Sequence, residues 1–318
     1  MLKYLVIQLC DSAPSFCHYS NNKKDAKLIP LSTLKDALSF AMLENLMVQI
    51  VYPDKMLTNE YKALINTIDH TDIVSSHCTD DELLSAADVV VFNNISDAID
   101  YSLRSTHTIV VRSTFAYLLS NSEAIKKILR KVKRLNIVIT DVEKFIVENA
   151  QAYVEYLDDI ASVILEEYIK EHEVQLNILT DRMMLDNMNN CNAGVESLTL
   201  APNGKLYVCP AFYFDDSNDV CILDSEIALK NQQLYRIEYA PICHSCDALH
   251  CKRCVWLNRN LTLEVNTPSK QQCIIAHIER NASRKLLEKI RKVGEFLPDK
   301  NIPEIDYLDP FDKIINNK

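Results

Sequence analysis

Through the first 180 residues, short apolar runs alternate with longer stretches whose apolar positions recur every three or four residues. That alternation predicts strands of a parallel sheet separated by helices. The expected strands cover residues 2–9, 47–52, 88–92, 108–112, 136–140 and 174–179, with another near Asp72. The runs VVVF (89–92) and IVVR (109–112) are apolar at consecutive positions, so both faces of these strands should be covered. Leu34, Leu38, Ala41 and Met42 fall at helical spacing after Thr33 and Asp36, which reads as a capping box. A second helix is expected over residues 123–135, with Ile125, Ile128, Leu129, Val132 and Leu135 forming its apolar stripe. Six or seven such units predict an α/β fold of the partial βα (TIM-like) barrel kind, whose reactive groups sit at the C-terminal ends of strands.

From Cys191 the pattern changes. Residues 197–201 and 205–210 predict a hairpin joined at Asn203-Gly204, a dipeptide that favours a type I′ turn. A long amphipathic helix after Cys273 carries Ile274, Ile278, Leu286, Leu287, Ile290 and Val293, with Gly294 as its stop. The expected organisation is a barrel over residues 1–185, a cysteine-rich module with its helix over 186–295, and an acidic tail over 296–318.

Composition narrows the function. The 318 residues are 48% apolar, enough for a buried core, and no apolar run approaches the ~18 residues of a membrane span. The first strand is too short and too thinly flanked for a signal peptide, so a cytoplasmic protein is expected. In that reducing compartment eleven cysteines argue for metal ligation rather than disulfides. A formal charge of −10 argues against a nucleic-acid surface, which draws on an excess of Lys and Arg. Only Gly194, Gly204 and Gly294 occur, which excludes a G-x-G-x-x-G turn and a P-loop.

The cysteines carry the chemistry. Cys191 and Cys209 read C-x12-G-x4-C around Gly204, and Cys243, Cys246, Cys251 and Cys254 read C-x2-C-x4-C-x2-C. With Cys221 and Cys273 they make eight thiols, enough for two four-thiolate metal sites. A C-x2-C pair puts two sulfurs on one turn, where both reach one ion or cluster edge. Near the N-terminus, CDSAPSFC (10–17) places Cys10 directly after the first strand, with Pro14 and Cys17 at the following positions of a C-x3-C-x2-C spacing and Phe16 before the last thiol.

This frame resembles the SPASM domain that caps peptide-modifying radical SAM enzymes. Two spacings in its second block are one residue short. The cluster loop at Cys10 and Cys17 resembles the radical SAM motif without its middle thiolate, and His18 is a candidate substitute. Where radical SAM enzymes end the second strand in Gly-Gly-Glu, this chain has Tyr52, Pro53 and Asp54. With QQCIIAHIER (271–280) and IPEIDYLDPF (302–311), the chain is similar to the CXXX repeat peptide maturases.

The resemblance implies two [4Fe-4S] clusters, an inner one on Cys191, Cys209, Cys254 and Cys221 and an outer one on Cys243, Cys246, Cys251 and Cys273. Zinc is the alternative metal, since thiolate sets of four suit either. It also implies a ribosomally made, cysteine-containing precursor peptide as partner and a companion maturation protein, with no nucleic acid and no membrane. Reductive cleavage of S-adenosylmethionine is not expected. An active radical enzyme with a non-standard cluster ligand and a zinc-stapled peptide-binding scaffold are the competing readings. Barrel geometry adds Asn93, Asn94, Arg112, Ser113 and Asp141 as pocket candidates. The cations Lys126, Lys127, Arg130, Lys131, Lys133 and Arg134 read as a solvated helix face or a dock for an acidic leader peptide.

Overall fold

The computed structural model describes all residues except 1, 22, 24–25, 102–106, 189, 218, 224–228 and 317–318. In chain order the elements begin β1 (Tyr4–Gln8), α1 (Leu31–Leu43), β2 (Met47–Val51), α2 (Asn59–Ile65), β3 (His70–Ser75), α3 (Asp81–Ala86) and β4 (Val89–Phe92). They continue α4 (Ile95–Asp100), β5 (Thr108–Ser113), α5 (Phe115–Ser120), α6 (Ser122–Leu129), β6 (Arg134–Ile139), α7 (Ala150–Ile169), β7 (Gln175–Leu176) and α8 (Asp181–Met184). The remainder is β8 (Ser197–Leu200), β9 (Lys205–Tyr207), α9 (Pro210–Phe214), β10 (Cys221–Ile222), α10 (Val255–Thr262), α11 (Lys270–Arg291) and α12 (Pro310–Asn316).

Two compact units assemble from separated stretches, the first from residues 1–91, 191–240 and 255–257 and the second from 92–190, 241–254 and 258–318. In the first unit β1 lies parallel to β2 on one side and to β8 on the other, and β2, β3 and β4 continue in parallel. The α/β class expected from the alternating pattern is thus present. β9 and β10 then add antiparallel neighbours, with Cys221 opposite Leu206. Leu5, Ile7, Ile50, Val51 and Val74 are all but sealed from solvent, as strands covered on both faces require.

In the second unit β5, β6 and β7 run parallel, with Ile109, Val111, Leu135 and Leu176 buried. α7 and α11 pack together through a stripe of Tyr153, Leu157, Ile160 and Ile164 on one helix and Ile278, Leu286, Leu287 and Ile290 on the other. Such i, i+3, i+4 stripes drive packing by removing apolar area from water.

Several local expectations need correction. α1 starts at Leu31 after Pro30, with no side-chain cap, so Thr33 and Asp36 lie inside the helix and form no capping box. Its buried face is Leu34, Ala37, Leu38 and Ala41, while Met42 is exposed. α6 stops at Leu129, and Arg134 and Leu135 belong to β6. The apolar stripe read across 123–135 therefore joins a helix to the next strand, two periods that coincide over a short run. The hairpin turn is not type I′. Gly204 N–H donates to the Ala201 carbonyl at 2.9 Å, closing a turn centred on Pro202 and Asn203, and only Gly204 of these has positive φ (+81°). Proline fixes φ near −65°, which forbids the first position of a type I′ turn.

α11 begins earlier than expected, capped by the Ser269 hydroxyl, which accepts from Gln272 N–H at 3.2 Å, so Cys273 sits in the first turn of the helix. The helix ends at Arg291, and Gly294 does not have the left-handed conformation of a helix stop.

Candidate metal centre

The second unit gathers four thiols from two segments. Cys243 opens a single 3-10 turn, and Cys246 N–H closes it by donating to the Cys243 carbonyl at 3.2 Å. Cys251 N–H donates to the Ala248 carbonyl at 2.9 Å, and Arg253 takes a left-handed φ of 41° that bends the chain between Cys251 and Cys254. Cys273 comes from the start of α11.

Cys243 and Cys273 are buried, and Cys246 and Cys251 keep some surface open although protein hems them in. Burial pushes the Cys243 thiol up to about 12, with charge on Cys251 and Cys246 adding to the shift and the Arg253 guanidinium opposing it. Burial likewise pushes the Cys251 thiol up to about 11; the Arg253 N–H opposes this and charge on Cys246 adds to it. Cys273 is driven well above the ordinary thiol range by burial and then by charge on Cys251, Cys243 and Cys246. Every pair among these four therefore lies within electrostatic reach. Without a cation such thiols stay protonated; a bound metal deprotonates them outright.

Around the thiols is a polar shell in which the sequence points to His250 as a neighbour but not to His277, Glu279, Arg280 or Arg182. His277 Nε2 lies 3.5 Å from Cys246 Sγ. The Ala248 N–H bonds to the Cys246 sulfur, although burial still raises that thiol. Glu279 is buried, takes the Tyr153 hydroxyl at 2.6 Å and pairs with His250 Nε2 at 3.1 Å. Asp247 receives both the Nε and the Nη2 of Arg280, the latter at 2.6 Å, and Arg182 Nη2 at 3.4 Å. The signal was available in the helix register. In the run after Cys273, His277 follows by one turn and Arg280 by two, which puts them on the face that carries the thiol.

Cys191, Cys209 and Cys221 belong to the first unit and Cys254 to the second. Cys191 is exposed, with its carbonyl accepting the Ser197 hydroxyl at 2.8 Å; Cys209 precedes α9 and Cys221 is buried in β10. None of the eleven cysteines is in a disulfide. Among the described residues, no group of three or more His, Cys, Asp or Glu donors stands in a metal-holding geometry. The chemistry of the Cys243, Cys246, Cys251 and Cys273 set suits a soft four-coordinate metal group.

The N-terminal loop is tied down by contacts of its own. Cys10 is buried with its sulfur 3.2 Å from the Ser12 hydroxyl, and the Asn21 amide ties down the Asp11 and Ala13 carbonyls, the latter at 3.0 Å. The Asp11 carboxylate accepts the Tyr213 hydroxyl, and Tyr19 stacks on Phe214 at 5.5 Å between ring centroids. Cys17 is partly exposed, and Pro14 spends its carbonyl on the Tyr19 hydroxyl at 3.4 Å. Beyond β2, Tyr52 is buried with its hydroxyl 3.4 Å from His70 Nε2, and Asp54 Oδ1 is enclosed without a hydrogen-bond partner among the described residues.

The strand-end candidates serve mainly as caps. Asn94 caps α4 by accepting from Asp97 N–H at 2.9 Å, and Asp141 holds the Phe115 N–H at 2.7 Å at the start of α5. The Ser113 hydroxyl donates to the Thr114 carbonyl at 3.0 Å, and Arg112 is buried with Nη1 3.0 Å from Asn93 Oδ1. The cation cluster is partly neutralised. Lys126 pairs with Glu123 and Asp159, Arg130 with Glu166, and Arg134 forks onto Asp181.

No protein-family model matches the sequence, and no curated protein matches it. Among solved structures, the fold is similar to that of polyhistidine-tagged anSMEcpe with bound AdoMet, at 10% identity and a TM-score of 0.58 over 94% of this chain and 98% of the other. Native anSMEcpe with bound AdoMet and the Cp18Cys peptide gives the same identity and a TM-score of 0.58 over 92% and 100% of the two chains. The form with the Kp18Cys peptide gives 0.56. At this identity the likeness is one of fold.

Proposed function

We propose that this chain is a maturation factor for a ribosomally made, cysteine-containing peptide. In this reading it carries a SPASM-type module over residues 186–295 on a radical-SAM-like βα domain over 1–185, and it does not cleave S-adenosylmethionine. The observation that carries the reading is the mutual electrostatic reach of Cys243, Cys246, Cys251 and Cys273, the four thiols that the SPASM resemblance assigns to one cluster. The fold likeness to a protein solved with AdoMet and a peptide supports it. These four residues would hold a [4Fe-4S] cluster, and the resemblance alone assigns a second cluster to the other four thiols. A cluster held by four thiolates would supply electron transfer. The chain's own contribution is to bury the sulfurs, donate N–H groups to them and exclude water.

Anaerobic purification followed by metal analysis tests the reading. About eight irons per chain and visible absorbance are expected, four from each cluster. Stoichiometric zinc with a colourless protein would shift the reading to a metal-stapled peptide scaffold.

A further inference from the structure

A histidine of α11 stands against one of the thiols at the separation of two ligands on one metal. His277 Nε2 is 3.5 Å from the Cys246 sulfur, and the side chain lies on the buried face of the helix, 3% exposed. Zinc holds a cysteine sulfur at about 2.3 Å and an imidazole nitrogen at about 2.0–2.1 Å; at a tetrahedral angle those two ligand atoms stand about 3.5 Å apart. The Tyr307 ring packs beside the imidazole, with 5.6 Å between centroids.

Each member of this pair brings a second donor with it. Cys243 and Cys246 share one 3-10 turn, closed by the Cys246 N–H on the Cys243 carbonyl at 3.2 Å. Cys273 and His277 are four residues apart in α11, which puts their Cβ atoms about 6 Å apart on one face, and both are buried. All four residues belong to the second unit. The chain thus sets C-x2-C on a turn beside C-x3-H on a helix, the donors and the short intervals of a zinc site with three cysteines and one histidine. Among the described residues no three donors are drawn together around one point. A step between χ1 wells carries a cysteine sulfur about 3 Å, which is the movement available to Cys243 and Cys273 when an ion binds.

We infer that Cys243, Cys246, Cys273 and His277 form a site for a single zinc ion, with His277 Nε2 as its nitrogen ligand. The inference rests on the proposal that this thiol set holds a metal, and it names the ligands taken by one divalent ion in place of a cluster. On binding, the three thiols release their protons to solvent, while the imidazole supplies a lone pair and no charge. The occupied site then carries a charge of about −1, where four thiolates would leave about −2, and buried charge is costly.

The test loads the full chain, stripped of metal under reductant, with zinc. X-ray absorption fine structure reads the ligand atoms, competition with a chromophoric chelator reads affinity, and circular dichroism controls for folding. The unmodified chain should show a nitrogen ligand beside the sulfurs. In His277→Ala that nitrogen should vanish and affinity should fall by about tenfold or more, since even groups behind the ligands cost that much when removed. His277→Gln, which keeps an N–H donor for the Cys246 sulfur and loses the imidazole lone pair, should behave like the alanine variant. Full affinity in His277→Gln would show that a hydrogen bond to sulfur is all the histidine provides. A shell of sulfur alone in the unmodified chain, a nitrogen that survives His277→Ala, or uptake of iron without zinc overturns the inference and leaves the thiols as a metal holder. Failure of the unmodified chain to take up either metal removes the metal site itself.

Discussion

At the scale of single residues, the structure separates groups that hold the fold from groups available for chemistry. Glu279 is the clearest case of the first kind, a buried carboxylate held by the Tyr153 hydroxyl and His250. Glu279→Gln should cost about 1.5–3 kcal/mol, the range for hydrogen bonds to a charged group, read as a lowered denaturant midpoint at unchanged slope. His70 gives a pH signature. Its pairing with the Asp72 carboxylate, at 3.0 Å, outweighs burial and raises its pKa above the ordinary 6.5. A raised histidine contributes stability that is fully present below pH 6.5 and lost as pH climbs through the folded value. The urea midpoint of the intact protein should therefore fall across the neutral range, and His70→Gln should flatten that dependence; an unchanged slope would show that the pair is not coupled to folding. Among the thiols, both Cys246→Ala and Cys78→Ala remove a hemmed-in side chain, so stability alone does not distinguish them. Metal bound per folded chain does, and only Cys246→Ala should lower it.

At the scale of elements, the parallel strands were legible because their Val and Ile runs leave no polar face, and β1, β2, β4 and β5 lie within two residues of their expected bounds. What the sequence hid was register and direction. Nothing in SLTL announces that β8 lies parallel beside β1, because pairing partners are set by tertiary packing. The contact of Arg182 with Asp247 was not legible either, since it joins α8 to a residue some sixty positions further along the chain. Gly294 was recognised as special for the wrong reason. A Cβ there would meet the Tyr168 hydroxyl at 2.7 Å, so the close approach of that ring, rather than a left-handed turn, is what a larger residue would disturb. Gly294→Ala should cost about 1–2 kcal/mol, as overpacking does, and a Tyr168→Phe background should recover most of it. A helix-stop role predicts no such rescue, and thermal melts of the three variants decide between them.

At the scale of the whole molecule, a fold similar to that of an AdoMet-bound protein is combined with a loop after β1 in which Pro14 stands between Cys10 and Cys17. Fold carries no chemistry by itself; the site does. The loop after β1 is tied down by internal contacts, through Ser12 on the Cys10 sulfur, Asn21 on two carbonyls and Tyr213 on Asp11. A three-thiolate cluster there would need a further thiolate where Pro14 stands. At the end of β2 the Tyr52-Pro53-Asp54 segment lacks glycine, the residue that lets backbone approach a ligand closely. On the proposed reading these are two separate departures, and repairing one would not be enough. Under strong reductant with S-adenosylmethionine, the intact protein should form no 5′-deoxyadenosine, and Pro14→Cys should form none either, while the iron held by the C-terminal thiols stays unchanged. Chromatography of the reaction mixture reads the product directly. Its appearance with the unmodified chain, and its loss in Cys17→Ala, would make this protein an active radical enzyme rather than a partner in maturation.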